Sequence, residues 1–219
     1  MRRAAFADRR DAGRALGARL AGTVPGDVVV LGLPRGGVVV AAGVAAALGA
    51  PLEVLLVRKL GLPRQPELAM GAVAAIGEAV ETVRTDHVLT AAGIDDATFA
   101  AVRDRELVEL RRREAAYRGD RPPVDLAGRT VVLVDDGLAT GATVRAALQV
   151  LAGRRPARTV VAVPVGSPAA VRELSALADE VVCLFAPATL RAVGGAYGSF
   201  AQTSDDEVRR VLREAATEL

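Results

Sequence analysis

Five short apolar runs, separated by alanine-rich stretches, constrain the fold of this chain more than any other feature. Each run is rich in β-branched residues and nearly free of charge, as expected of strands covered on both faces. The predicted strands are residues 28–33, 52–57, 130–134, 159–165 and 181–185, and helical stretches follow at 38–48, 142–151 and 168–178. Alternating strands and helices form a mostly parallel sheet, flanked by helices and joined by right-handed crossovers.

Two regions depart from this alternation. Residues 58–94 contain several glycines and prolines, together with strand-like pieces at 72–76 and 79–83. We interpret this insertion as a mobile loop and an edge hairpin. Residues 96–117 have the apolar spacing of a long charged helix, and residues 204–219 form an amphipathic helix.

Size and composition narrow the class of protein. A chain of 219 residues predicts a single domain over 1–219. We expect its core at about 25–185, an insertion at about 60–118, and a tail with the final helix at 186–219. The single cysteine excludes an intramolecular disulfide and a multi-cysteine zinc site. The apolar stretch 36–57 is interrupted by glycines and a proline, and we see no signal peptide, so we expect a cytoplasmic protein without membrane contacts.

The basic residues are almost all arginine. Of 28 Lys and Arg, only Lys59 is a lysine, and the net charge is +2. Such a small charge excess is weak support for nucleic-acid binding. A lysine retained among so many arginines suggests a site that needs an ammonium group in particular.

The loop after the third strand carries most of the chemical information. Two carboxylates, Asp135 and Asp136, precede a loop of small residues and hydroxyls that opens a helix: Ala139, Thr140, Gly141, Ala142 and Thr143. Backbone N–H groups at such a helix start can hold a phosphate. The carboxylates would repel that phosphate, so we expect them to face vicinal hydroxyls or a hydrated Mg²⁺. A sugar phosphate satisfies both requirements.

The run VVLVDDGLATGAT over residues 131–143 resembles the 5-phosphoribosyl-1-pyrophosphate (PRPP) signature of the type I phosphoribosyltransferases. The resemblance implies that Asp135 and Asp136 hold the ribose 2′- and 3′-hydroxyls and help to order Mg²⁺. It also implies that residues 139–143 surround the 5′-phosphate. The expected fold is the mostly parallel sheet of that family with a small insertion, or hood, over the acceptor.

Two further loops suit the pyrophosphate of PRPP. Arg35, Gly36 and Gly37 follow the first strand, where glycines permit close backbone approach and arginine supplies charge. They resemble the pyrophosphate loop of this family, and we predict a cis peptide near Arg35. Arg58 and Lys59 follow the second strand. We expect Lys59, as a mobile ammonium at the strand end, to neutralise the leaving pyrophosphate.

The implied reaction transfers ribose 5-phosphate from PRPP to a nitrogenous acceptor, which the sequence does not identify. A role in nucleotide salvage would follow. Family members acting on 6-oxopurines usually have an acidic residue where this chain has Ala139.

Tyr197 and Phe200 either stack on a base or attach the tail to the core. The hood comes from the N-terminal helix, residues 60–95 or the tail.

Other functions remain open at this point. A PRPP- or nucleotide-sensing regulator with little catalysis would share the same motif. The run Arg111, Arg112 and Arg113 could form a basic patch, but nearby glutamates favour a solvated helix face. A generic nucleotide-binding protein would not need both Lys59 and the aspartate pair. Family members are often dimers, so a homodimer is also an expectation.

Overall fold

The main sheet has five parallel strands in the order β2-β1-β6-β7-β8, in a computed structural model that describes residues 4–76, 79–118 and 124–217. Its strands are β1 (Val28–Gly32), β2 (Leu52–Val54), β6 (Thr130–Val134), β7 (Arg158–Val165) and β8 (Glu180–Phe185). Strand β1 pairs with β2 on one side and with β6 on the other. The predicted parallel sheet is therefore confirmed, and its central strands lead into the two loops that carry the glycines and the aspartates.

Seven α-helices complete the described part of the chain. They are α1 (Arg9–Leu20), α2 (Gly36–Leu48), α3 (Asp86–Ala92), α4 (Asp96–Arg118), α5 (Ala142–Ala152), α6 (Pro168–Leu174) and α7 (Asp205–Thr217). The predicted helices at 38–48, 142–151, 96–117 and 204–219 match α2, α5, α4 and α7 to within a few residues. None of the described helices is long and apolar enough to cross a membrane.

The central strands serve two apolar cores because successive side chains point to opposite faces of the sheet. Val30 packs with α1, α2 and α7 on one face. Val29 and Leu31 pack with α5 and α6 on the other. Burial on both faces explains why these runs read as continuous apolar segments.

The predicted strand at 52–57 is wrong as a single element. It divides at Leu55 into β2 and β3 (Leu56–Leu62), and β3 belongs to a separate antiparallel sheet with β4 (Gln65–Ile76) and β5 (Ala79–Arg84). Strand β1 ends at Gly32, so the chain beyond Leu55 has no parallel partner and pairs with β4 instead. The predicted hairpin is confirmed, whereas most of the predicted mobile loop is paired strand.

The small sheet lies between two helices. On one face, Leu56 and Leu60 belong to the same buried cluster as Leu110 of α4. On the other, Val57 packs against the cluster that contains Val144 of α5. The small sheet therefore packs between α4 and α5, beside the helix that follows β6.

The C-terminal tail returns across the molecule to the N-terminus. Phe6 forms a parallel bridge with Tyr197, next to a short 3₁₀ helix at Val193–Ala196. Ser204 then accepts a hydrogen bond from the backbone N–H of Glu207 (3.1 Å), as the capping-box spacing predicts. Residues of the N-terminal region and of the tail thus meet at the loop that follows β6, where Arg9 and Tyr197 both contact Asp136.

Candidate active site

The glycines after β1 and the aspartates after β6 are in direct contact. A Cβ atom placed on Gly36 would lie 2.0 Å from Oδ2 of Asp136, and one on Gly37 would lie 2.9 Å from Cα of Asp135. Neither space is available to a side chain. The two predicted loops therefore form one site, and glycine is required for their close approach.

The loop after β1 contains the predicted cis peptide. It lies between Pro34 and Arg35, so it is a non-proline cis bond. Nη1 of Arg35 lies 3.7 Å from Oδ1 of Asp205 at the start of α7. This contact is too long for a hydrogen bond, and the Arg35 side chain donates to no residue that the structure describes, so its N–H donors can meet an anion.

Asp135 lies in an environment that disfavours its charge. Removal from water, together with the adjacent negative charge of Asp136, raises the pKa of Asp135 to about 8 from an ordinary value of 3.8. The backbone N–H of Asp136 donates to Oδ1 of Asp135 (2.8 Å) and opposes part of this shift. A ligand that offers hydroxyls or positive charge would relieve the repulsion between the two carboxylates.

We predict that Asp135→Asn raises thermal stability. A raised pKa means that the folded chain binds this proton more tightly than the unfolded chain, so wild-type stability falls as pH rises through the raised value. Asparagine carries no charge and avoids this loss. The melting temperature of the variant should exceed that of wild type at about pH 8, and the gap should narrow at about pH 5, with each kcal/mol worth about 2–4 °C.

Asp86→Asn is the matched control, because Asp86 is exposed on α3. Its melting temperature should follow that of wild type at both pH values. A difference between Asp135→Asn and wild type that does not change with pH would contradict a raised pKa of Asp135.

The predicted 5′-phosphate loop lies between β6 and α5. Ala139, Thr140 and Thr143 are exposed, and Gly141 has a φ of +70°, a conformation that favours glycine. Ser167, which follows β7, donates through Oγ to the backbone carbonyl of Ala139 (2.9 Å). This hydrogen bond ties the first part of the phosphate loop to the loop after β7. The start of α5 thus presents backbone N–H groups and hydroxyls to solvent, as an anion site requires.

Arg9 is a site residue that the sequence analysis did not find. Its Nε donates to Oδ2 of Asp136 (2.8 Å). Its Nη1 donates to the carbonyl of Ala201 (2.7 Å), and its guanidinium lies 3.8 Å from the ring centre of Phe200. Since 127 residues separate Arg9 from Asp136, no local sequence pattern identifies this pair. One arginine thus joins the N-terminal helix, the aspartate loop and the tail.

Tyr197 and Phe200 attach the tail to the core. The hydroxyl of Tyr197 donates to the backbone carbonyl of Asp136 (2.6 Å), and the ring is buried against Phe6. The ring of Phe200 stacks on that of Tyr197, with centres 4.9 Å apart, and it keeps some exposure. The contacts support the anchoring interpretation for Tyr197. The Phe200 ring contacts both Arg9 and Tyr197, and the residue remains 37% exposed.

The predicted position of Lys59 at a strand end is wrong. Lys59 lies within β3, paired with Ala72 of β4, because β3 continues to Leu62. Lys59 shares a face with Val57 and therefore projects on the α5 side of the small sheet. It is exposed and has no ion pair with any residue that the structure describes.

Arg58 projects from the opposite face of β3. Its Nε donates to Oε2 of Glu106 on α4 (2.8 Å), and the same carboxylate accepts from Nη2. The two neighbouring basic residues therefore differ in their surroundings. Glu106 holds Arg58 in place, while the ammonium of Lys59 remains available.

Comparison with known proteins identifies relatives of this chain. Residues 11–190 match the family described as "Phosphoribosyl transferase domain". A Mycobacterium tuberculosis H37Rv protein, provisionally named as a phosphoribosyl transferase, is 51% identical over 210 residues, which are 96% of this chain and 47% of that protein. The chain thus spans about half the length of the curated relatives it matches.

Two further relatives match this chain over different lengths. The bifunctional protein PyrR of a Roseiflexus species is 39% identical over 133 residues, covering 57% of this chain and 60% of that protein. The crystal structure of TT1426 from Thermus thermophilus is 47% identical and superposes with a TM-score of 0.86, over 95% of this chain and 98% of that one. The same fold therefore also occurs in a solved structure.

Proposed function

Because this chain belongs to the phosphoribosyl transferase domain family, we propose that it is a phosphoribosyltransferase that uses PRPP and Mg²⁺. It would transfer ribose 5-phosphate to a nitrogenous acceptor and release pyrophosphate. The contact between the Gly36–Gly37 backbone and the Asp135–Asp136 pair carries this proposal. It supports the proposal because it brings the glycine loop, the two carboxylates and the loop before α5 to one edge of the sheet.

Each part of PRPP has a proposed partner. The 5′-phosphate would bind the backbone and hydroxyls of residues 139–143 at the start of α5. The ribose hydroxyls would donate to the carboxylates of Asp135 and Asp136. The pyrophosphate would lie against the loop of Arg35, Gly36 and Gly37. Binding at three points would fix the ribose C1 atom for reaction.

The donor set suits a magnesium ion that arrives with the substrate. Among the described residues, no group of three or more His, Cys, Asp and Glu side chains is arranged to hold a metal. The aspartate pair offers two carboxylates, one of them shared with Arg9. Mg²⁺ commonly keeps several waters and binds one or two carboxylates together with substrate phosphates. When bound, the ion would supply positive charge to the pyrophosphate, and Asp135 and Asp136 would order its water shell.

The chain's own work would be to position the reactants and neutralise charge. As the bond between C1 and the pyrophosphate oxygen breaks, the ribose gains oxocarbenium character, and the acceptor nitrogen forms the new bond to C1. The leaving pyrophosphate takes the electron pair of the broken bond. Arg35 and Lys59 would stabilise that negative charge, which grows in the transition state.

The acceptor would bind beside the tail. Ala139 supplies no acidic group for a 6-oxopurine, so a nucleobase of another type, or a similar nitrogen compound, fits better. The exposed part of Phe200, whose ring already contacts Arg9 and Tyr197, is a candidate to contact the edge of the acceptor. A role in cytoplasmic nucleotide salvage belongs to the same proposal.

Turnover tests the proposal. The protein is incubated with PRPP, Mg²⁺ and a panel of nucleobases and small amines, and pyrophosphate release is followed. We expect acceptor-dependent release with at least one compound. Tight PRPP binding without turnover on any acceptor would instead favour a PRPP-sensing regulator. Absence of PRPP binding would contradict both functions.

A further inference from the structure

Helix α4 carries Arg113 on a stripe that otherwise packs toward the small sheet, and the Arg113 side chain is 40% exposed. Glu106, Leu110, Arg113 and Tyr117 are spaced along one stripe of the helix. Leu110 and Tyr117 are buried, and Glu106 binds Arg58. Arg113 therefore lies at the edge of this packed surface, where its charge stays partly solvated and accessible to an anion.

The three arginines at 111–113 have different environments. Arg111 donates to Glu114, which is itself buried. Arg112 donates to Glu109 on the exposed side of the helix. Arg113 donates through Nε to the same Glu109 (2.7 Å), but it also lines a cleft that faces the active-site loops.

That cleft lies where three parts of the site meet. Its lining includes Leu33 and Pro34 before the cis peptide, Arg58 of β3, Leu110 and Arg113 of α4, and Thr143 of the phosphate loop. Arg58 and Arg113 therefore both line a space between the loop of Arg35 and the start of α5. An arginine can bind a carboxylate through one edge and still donate to phosphate oxygens through the other.

Arg35 reaches the same neighbourhood through Asp205. Tyr117 donates to Oδ1 of Asp205 (2.6 Å), and this hydrogen bond lowers the pKa of Asp205. The positive charges of Arg35 and Arg113 lower it further. Both arginines thus lie close to one carboxylate, on the side of the site where α4 and α7 meet.

We infer that Arg113 is a further pyrophosphate-binding residue, which acts with Arg35 and Arg58 on the leaving group of PRPP. This inference rests on the proposed function and extends it to α4. Glu109 and Glu106 accept hydrogen bonds from Arg113 and Arg58, and Asp205 forms a longer ion pair with Arg35. The Nη groups of Arg113 make no hydrogen bond within the described part of the chain, so they remain available to phosphate oxygens.

Arg113→Ala tests the inference, with Arg112→Ala as the matched control. Both arginines pair with Glu109, but only Arg113 lines the cleft. Dissociation constants for PRPP, inorganic pyrophosphate and ribose 5-phosphate are measured by calorimetry. Arg113→Ala should raise the dissociation constants for PRPP and pyrophosphate about 10- to 100-fold, because it removes hydrogen bonds to a charged group. Its affinity for ribose 5-phosphate should not change.

The control and the conservative variant separate binding from structure. Arg112→Ala should bind all three ligands like wild type, and Arg113→Lys should recover part of the pyrophosphate affinity. If Arg113→Ala lowers the affinities for ribose 5-phosphate and for pyrophosphate by the same factor, the residue has a structural role and the inference is overturned. Unchanged pyrophosphate affinity would also overturn it while leaving the proposed function intact. A wild-type protein that binds neither PRPP nor pyrophosphate would overturn both.

Discussion

Replacing Lys59 with alanine should lower the rate of pyrophosphate release by about 10²–10³-fold, with little change in the affinity for ribose 5-phosphate. Lys59 is exposed on the face of β3 that is turned toward α5, with no ion pair among the described residues. Its ammonium is therefore free to meet charge that develops on the leaving group. The measurement is the pre-steady-state rate of pyrophosphate release at saturating PRPP, with the acceptor that supports turnover in the panel assay.

Arg64→Ala serves as the control for Lys59→Ala. Arg64 is exposed in the turn between β3 and β4. Like Lys59, it is positively charged and belongs to the small antiparallel hairpin. Its loss should leave the rate close to that of wild type. Lys59→Arg keeps the charge and should retain part of the activity. If Lys59→Ala reacts at the wild-type rate, the leaving-group role is wrong.

Replacing Arg118 with methionine should lower the free energy of unfolding by about 3–5 kcal/mol. Nη2 of Arg118 lies 3.6 Å from Oε2 of Glu53, a residue of β2 that is only 2% exposed. Its Nε lies 3.7 Å from Oε1 of Glu114, which is also buried. Without the guanidinium, two carboxylates would remain in the interior with less compensating charge.

Urea unfolding measures this loss, and Arg112→Met is the control. Arg112 lies on the same helix but is mostly exposed, so its replacement should change stability by less than about 0.5 kcal/mol. Glu53→Gln should recover part of the stability in the Arg118→Met background, because it removes one buried charge. Equal stability of Arg118→Met and wild type would show that the network contributes nothing.

The main sheet and the position of its loops were predictable from local patterns. Buried strands read as continuous apolar runs, and the carboxyl ends of parallel strands meet at one edge of the sheet. These two rules bring Gly36 and Gly37 to Asp135 and Asp136, as the structure shows. The cis peptide beside Arg35 followed from the resemblance of the glycine loop to that of the family.

The small sheet was less accessible to sequence reasoning. Residues 52–57 form one apolar run, yet the chain changes partner at Leu55. The change depends on where β1 ends, which is a tertiary constraint that local propensity does not contain. The prediction for Lys59 is wrong for the same reason, because the sequence does not show that β3 continues past this residue to Leu62.

The long-range contacts of arginine were also hidden. Arg9 meets Asp136 across 127 positions, and Arg113 reaches the cleft only because α4 packs against β3. In a chain with so many arginines, residue type alone does not separate site residues from surface residues. Position on the buried stripe of a helix is the signal that could have identified Arg113.

PRPP binding measured by calorimetry in the presence of Mg²⁺ tests the central claim most directly. The account predicts one PRPP site for each chain, with ribose 5-phosphate and pyrophosphate each competing for part of it. Competition by both fragments would follow from separate contacts at residues 139–143 and at the loop of Arg35. Absence of PRPP binding at millimolar concentration, or binding that neither fragment reduces, would contradict it.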